Sequence, residues 1–388
     1  MKLYVAMVLL FKEHSHVKQQ TQVKTMKSPF LKFNPYNFVP LTRTPWAGQL
    51  IGVTKIKSLK GPAGGWPERI GESWEISTDP EFPSKLHEFH QTSEHPLFLT
   101  DVLNEHADYY LGKKIAKEFS SHCPLLLKWL NAKEPLSVQV HPKHTHPALK
   151  ANQCGKPESW LVLSNSFGEG YIFLGFKEGL SKDDIMTALR EDRPRDVMNV
   201  IYPKAGSYIS IPTGCVHAVG PGILIAEPQY VLPNKSGATW RLSDWGRRYN
   251  SRGELDPHGQ PRELHISEGL SAIDWELPRG KELDKALVHE LEHGQVFAGD
   301  KHNPFPVQYY SKAGIYQYTP QVPDQFSLVT CWEGMLQLFN KENEAIVLRA
   351  GESGLIAAAA GEVKIALAEA HPLVRPECAF FTFSANLT

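Results

Sequence analysis

Neither sign of charge is in excess in this chain: 41 lysines and arginines stand against 42 aspartates and glutamates over 388 residues. No global field therefore draws it toward nucleic acid or an anionic membrane surface, and any anion site must be built locally. Cysteine is scarce. Cys123, Cys154, Cys215, Cys331 and Cys378 are scattered, odd in number and form no CxxC pair. That excludes a disulfide framework and points to a reducing compartment, the cytoplasm. The expected role of these thiols is that of small buried apolar groups. Long hydrophobic runs are missing too. Leu3 to Phe11 is apolar but too short to span a bilayer, and no small-residue cleavage site follows it. Residues 1–25 read as an N-terminal extension ahead of Met26.

Helical periodicity is sparse. Thr100 to Phe119 carries Val102, Leu103, Tyr110, Leu111, Ile115 and Ala116 among charges, consistent with one or two short amphipathic helices. Ser181 with Asp184 forms a capping-box-like start, and Ile185 and Leu189 share a face four residues apart. Pro194 then fits the first turn of another short helix, Arg195 to Ile201.

What is abundant is short strands between turns, with 29 glycines and 29 prolines to punctuate them. Leu136 to His141 alternates strictly, and Tyr208 to Ile211 and Ile223 to Ala226 read as strands. Further strands are expected at 315–318, 327–330, 335–339, 345–348, 363–367 and 379–383. The pattern argues for β-barrels or sandwiches. A Gly-, Pro-, Asn- and Asp-rich stretch, Arg247 to Pro261, is a plausible hinge between two β-domains.

One constellation carries chemistry. Gln139 and His141 are two apart on a strand-like run, so both point to one face. Glu158 precedes the apolar run Leu161-Val162-Leu163. Gly206 to His217 is a strand, a Pro212-Thr213-Gly214 turn and a histidine, with the spacing Gly-x5-Pro-x-Gly-x2-His of the second cupin motif. Two imidazoles, a carboxylate and an amide oxygen suit a borderline divalent metal such as zinc. Each residue alone is better read as packed or solvated; the conjunction of three segments carries the argument. His144 and His146 are expected to be surface groups.

These residues resemble type I phosphomannose isomerases. Gly71-Glu72-Ser73-Trp74-Glu75, Leu125 to Lys128, Leu136 to Pro142, Lys156-Pro157-Glu158, Pro212 to Ala218, Trp240 to Arg247 and Pro261 to His265 all resemble that family's signatures. The resemblance is good from about Trp46 to Leu270 and weak beyond. It implies a mainly β chain of two cupin (jelly-roll) domains with short helical insertions. A catalytic domain would occupy residues 26–255 and a degenerate cupin residues 256–388, where Ala357 to Ala360 replace the histidine-bearing turn.

It also implies one Zn2+ on Gln139, His141, Glu158 and His217. Lys128 and Ser137 would bind phosphate, and Arg241, Lys156 and Glu227 would be catalytic, with Lys156 and Glu227 both open as the base. The implied substrate is a hexose 6-phosphate, interconverted between mannose and fructose forms through a cis-enediol, by a monomer or homodimer without nucleic acid or membrane partners. Two alternatives are an iron-dependent cupin oxygenase and a non-catalytic sugar-phosphate-binding cupin. Two departures from the family sit near the pocket rim: Lys143-His144 after Pro142, and extra loop at Leu232 to Lys235.

Overall fold

The computed structural model describes residues 27–87, 96–300, 303–320, 322–369 and 376–382. The expected extension, 1–25, lies outside them. Among the described residues no helix is long and apolar enough to cross a membrane.

The protein is mainly β. Its first half closes around two antiparallel sheets. The six-stranded sheet runs in the order Val288–Glu290, Ser207–Ile211, Glu158–Asn165, Ile223–Tyr230, Leu125–Asn131, Glu72–Ile76. The five-stranded sheet runs Trp240–Ser243, Val138–Val140, His217–Val219, Ile172–Phe176, Met198–Ile201. Leu130, Trp160, Val162, Ile209 and Ile225 of one sheet pack with Ile172, Leu174 and Val219 of the other, so the inner faces share a core. Strand alternation then fixes what else points inward: Lys128 lies on the Leu130 face, Glu158 on the Trp160 face and Glu227 on the Ile225 face.

The second pair has a six-stranded sheet, Phe30–Lys32, Glu352–Ile356, Ser327–Glu333, Glu377–Thr382, Val307–Tyr310, Val296–Phe297. It faces a four-stranded one, Gly314–Tyr318, Val363–Ala368, Met335–Asn340, Ala345–Arg349. The expected C-terminal strands therefore all form, and Ala357 to Ala360 make a turn with no histidine.

The two barrels pack back to back. Leu125, Leu127, Trp129, Leu161 and Leu163 point out of the first barrel into one core with Leu328, Val329, Phe380 and Phe381 of the second. Trp129 Nε1 donates to Thr330 Oγ1 at 3.0 Å across that seam. Beside it, fully buried Lys55 bonds Glu75 at 2.8 Å and the Gly351 carbonyl at 2.7 Å. Ser353 donates to the other oxygen of Glu75 at 3.1 Å.

The outer face of the five-stranded sheet is covered by the helices Lys182–Arg190 and Ile266–Ala272, through Ile185, Leu189 and Leu270 against Val138, Phe173 and Leu242. Ser181 caps the first of these in a complete capping box with Asp184. The one or two helices expected from Thr100 to Phe119 form as Leu99–Leu111 and Lys113–Phe119.

Two expectations are corrected. The helix anticipated over Arg195 to Ile201 is a single turn, Pro194–Val197, followed by the strand Met198–Ile201. Pairing with Ile172–Phe176 satisfies that strand's backbone and overrides the local helical start. The stretch read as a hinge instead pairs with itself, Arg248–Tyr249 against Gln260–Pro261. Sheet membership also crosses the division anticipated at residue 255. Val288–Glu290 adds to the first barrel, and Phe30–Lys32 lies in the second.

Candidate metal centre

The turn before His217 is held from both sides. Gly214 has a positive φ of 87°, a conformation that disfavours any side chain. Its N–H donates to the His141 carbonyl at 2.8 Å, and Cys215 N–H donates to Pro212 O at 3.0 Å. His217 then enters its strand opposite Gln139, and Gln139 in turn faces Arg241. Glu158 opens a strand of the facing six-stranded sheet, opposite Ile211 and Gln229.

These placements bring His141, Glu158 and His217 together, with one ligand atom from each within 4.8 Å of the others. All three are buried, the most exposed at 1%. His141 Nε2 lies 3.2 Å from one Glu158 oxygen, and His217 Nε2 lies 3.3 Å from the other. The far nitrogens are occupied: His141 Nδ1 faces the Ala238 carbonyl at 3.0 Å, and His217 Nδ1 faces that of Cys215 at 2.9 Å.

A carbonyl can only accept, so in each neutral ring the proton sits on Nδ1 and Nε2 is a bare lone pair. Burial, reinforced by the charge of Lys156, pushes the His141 pKa down to about 4, keeping its ring neutral at pH 7. Burial alone would raise the Glu158 carboxyl. The neighbouring His141, Lys156 and His217 outweigh burial and hold it well below the usual range. The His141 lone pair therefore faces a carboxylate oxygen in a dry interior. His141 Nε2, His217 Nε2 and Glu158 Oε1 have no hydrogen-bond partner. Buried polar atoms are rarely left so; a divalent cation among the three satisfies them all, and the N,N,O donor set suits zinc. The carbonyl bonds at Nδ1 orient the rings as outer partners of metal-bound histidines do.

Lys156 and Glu227 lie beside this cluster. Lys156 Nζ is 3.5 Å from Glu158. Glu227 is buried and receives Trp160 Nε1–H at 3.0 Å. Burial and the nearby Glu158 charge push its pKa up to about 8, against the opposing pull of Lys128 and Lys156. Lys128 pairs with Glu227 across the ladder. Its ammonium lies 3.7 Å from Glu72 and 4.2 Å from the centre of the Trp74 ring.

Gln139 shares the ladder with His217 and Arg241. Ser137 is buried just ahead of Val138–Val140. Arg241 is half-buried, and its Nη1 donates to the Glu263 carbonyl at 2.7 Å. Asp244, three residues on, holds Arg247 at 2.9 Å and Arg262 at 3.4 Å. Burial and the charge of Arg262 lower the Arg241 pKa to about 10.

Sequence reasoning missed Gln229, whose Nε2 donates to Glu158 at 2.7 Å, and Trp160, which orients Glu227. A polar residue in the run Ile223–Tyr230, buried throughout, was the available signal for Gln229. His144 is half-buried rather than on the surface, its ring 5.2 Å from that of Tyr230, and His146 packs on Trp240 at 4.8 Å. The five cysteines are buried and unpaired, as expected.

Paired β-sheets closing on a buried His–Glu–His set define a cupin-type barrel with a candidate metal centre. Within that class, residues 45–158 match the phosphomannose isomerase type I catalytic domain. The chain is 31% identical over 206 residues to a mannose-6-phosphate isomerase of Streptococcus mutans, covering 53% of this chain and 58% of the relative. It is 29% identical over 230 residues to one of Bacillus subtilis, covering 59% of this chain and 64% of the relative. The sequence match thus spans about three-fifths of the length of these relatives.

The fold match is broader. The crystal structure of the mannose 6-phosphate isomerase from Bacillus subtilis superposes with a TM-score of 0.68 at 21% identity, covering 92% of this chain and 99% of that one. A zinc-bound mannose 6-phosphate isomerase superposes with a TM-score of 0.63 at 16% identity, covering 92% of this chain and all (100%) of that one. The resemblance is to the type I phosphomannose isomerase catalytic domain in sequence over residues 45–158, and to mannose 6-phosphate isomerases in fold over 92% of the chain.

Proposed function

We propose that this protein is a zinc-dependent aldose–ketose isomerase interconverting mannose 6-phosphate and fructose 6-phosphate. The observation that carries the reading is the buried His141–Glu158–His217 set with its bare Nε2 atoms, flanked by a carboxyl and two lysines on the same inner face. The sequence and fold relatives supply the substrate class.

In this reading the zinc is held by His141, Glu158 and His217, with the amide oxygen of Gln139 as fourth ligand. Bound there, it would supply Lewis acidity toward the sugar oxygens at C1 and C2. Glu227 moves the proton between C2 and C1 by way of a cis-enediol. A carboxyl with a pKa near 8 has both protonation states within reach at neutral pH, as a proton carrier requires. The Trp160 N–H occupies Glu227 Oε1 and leaves Oε2 to hold the proton. Lys156 stabilises the negative oxygen that develops during transfer. Arg241, whose forked donors suit an oxyanion, supports the same charge from the opposite sheet. Lys128, with Ser137, receives the phosphate, exchanging its long contact with Glu72 for a doubly charged partner.

The test is a coupled assay of the zinc-loaded protein with mannose 6-phosphate beside a chelator-treated control. Turnover that disappears with the metal and returns with zinc is expected. Absence of turnover with every hexose 6-phosphate would overturn the function. A His217→Ala variant retaining both metal and activity would overturn the site.

A further inference from the structure

Gly237 has no left-handed backbone to explain it, since its φ lies outside the positive range. What surrounds it does. A Cβ at this position would stand 2.7 Å from Lys156 Cδ, 2.9 Å from Cγ and 3.1 Å from Cβ. The nearer two are closer than side-chain carbons approach in folded proteins. Cβ and Cγ are the rooted end of the lysine, so the end of the chain cannot swing aside to relieve the clash; the whole rotamer must change.

Nor can Gly237 retreat. It is paired in parallel with Cys154. On either side of it, Ser236 N–H donates to Asn152 O at 2.9 Å and Ala238 N–H to Cys154 O at 2.8 Å. The Ala238 carbonyl is the group that orients His141 through Nδ1, at 3.0 Å. Relief therefore falls on Lys156, whose side chain is 11% exposed and ends 3.5 Å from Glu158.

We propose that Gly237 is a positioning residue for the isomerisation: the side chain it lacks is the space in which the Lys156 stem lies, and this fixes the Lys156 ammonium at the edge of the metal set. The proposal builds on the isomerase reading for its kinetic consequence only; the steric claim stands apart from it.

The experiment compares Gly237→Ala, Lys156→Ala and the double variant as zinc-loaded full-length chains. Gly237→Ala is expected to lower kcat about 10- to 100-fold, the scale of a displaced catalytic group, with zinc still at one per chain. In the Lys156→Ala background the same substitution should change kcat by less than about twofold, since the group it displaces is gone. Independent losses that multiply in the double variant, or loss of zinc from Gly237→Ala, would overturn the assignment.

A second readout needs no turnover. Acylation of Lys156 by an amine-reactive reagent, followed by peptide mass spectrometry with Lys128 as internal reference, should quicken severalfold in Gly237→Ala. An unchanged rate would overturn the steric claim even if the wild-type protein proves not to be an isomerase. If Gly237→Ala alone fails to fold, the double variant should recover the fold, because the obstructing stem is removed; a double variant that remains unfolded refutes the proposal.

Discussion

Replacing Glu227 by Gln should stabilise the metal-free protein, and by an amount that depends on pH. The carboxyl is 3% exposed, and burial, followed by repulsion from Glu158, raises its pKa from 4.5 to about 8. The sign follows from proton counting. Between pH 4.5 and 8 the folded chain holds a proton that the unfolded chain has released, so stability falls as pH rises, by about 1.4 kcal/mol per pH unit. The contribution is fully present below pH 4.5 and lost on passing pH 8. At pH 7 the accumulated loss is about 3 kcal/mol.

Glutamine has nearly the same shape, still accepts the Trp160 N–H and has no proton to lose. Titrating groups remote from Glu227 are common to the two proteins and cancel in the difference. Urea unfolding of chelator-treated wild type and Glu227→Gln at intervals from pH 5 to pH 8 should therefore diverge, the variant gaining about 3 kcal/mol across that range. Added zinc should narrow the gap, because its charge lowers the carboxyl it sits beside. Parallel stability profiles in the metal-free proteins would refute the claim that Glu227 is held protonated by its surroundings.

Other expectations follow from single contacts. Gln229→Leu removes the 2.7 Å bond that orients Glu158 and should weaken zinc binding about 10- to 100-fold, measured by competition with a chromogenic chelator. Lys55→Met strands the buried Glu75 carboxylate and should cost about 3–5 kcal/mol in denaturant unfolding. The Lys55→Met/Glu75→Leu pair should cost less than the single change, since no uncompensated charge remains. Ser181→Ala deletes an exposed helix cap and should cost about 1 kcal/mol without changing zinc content, which chemical unfolding and metal analysis would check together.

The parts of the site that could be read from sequence are those fixed by local geometry. Pro212 and Gly214 set a turn whose outcome depends on neighbouring residues, so the re-entry of His217 into the barrel was legible. Alternation placed Gln139 and His141 on one face for the same reason. Gln229 and Trp160 were not legible, because their roles depend on the register between Glu158–Asn165 and Ile223–Tyr230, strands far apart in the chain. Non-local pairing also explains the fold-level misses. Met198–Ile201 becomes a strand only because Ile172–Phe176 offers it an edge. The division at residue 255 was read from the turn-rich stretch Arg247 to Pro261, and nothing local in Val288–Glu290 announces its partner, Ser207–Ile211.

The strand Leu125–Asn131 is a party wall. Lys128 faces the His141–Glu158–His217 side, while Leu125, Leu127 and Trp129 face the other barrel. A fragment ending near residue 300 would keep every proposed metal ligand and yet open that wall to water, baring Leu161, Leu163 and Leu224 with it. Such a fragment should clump rather than work. The second barrel is then the dry backing of the first, and Thr330 and Val329 meet that wall through Trp129 and through the leucines of two strands, Leu125–Asn131 and Glu158–Asn165.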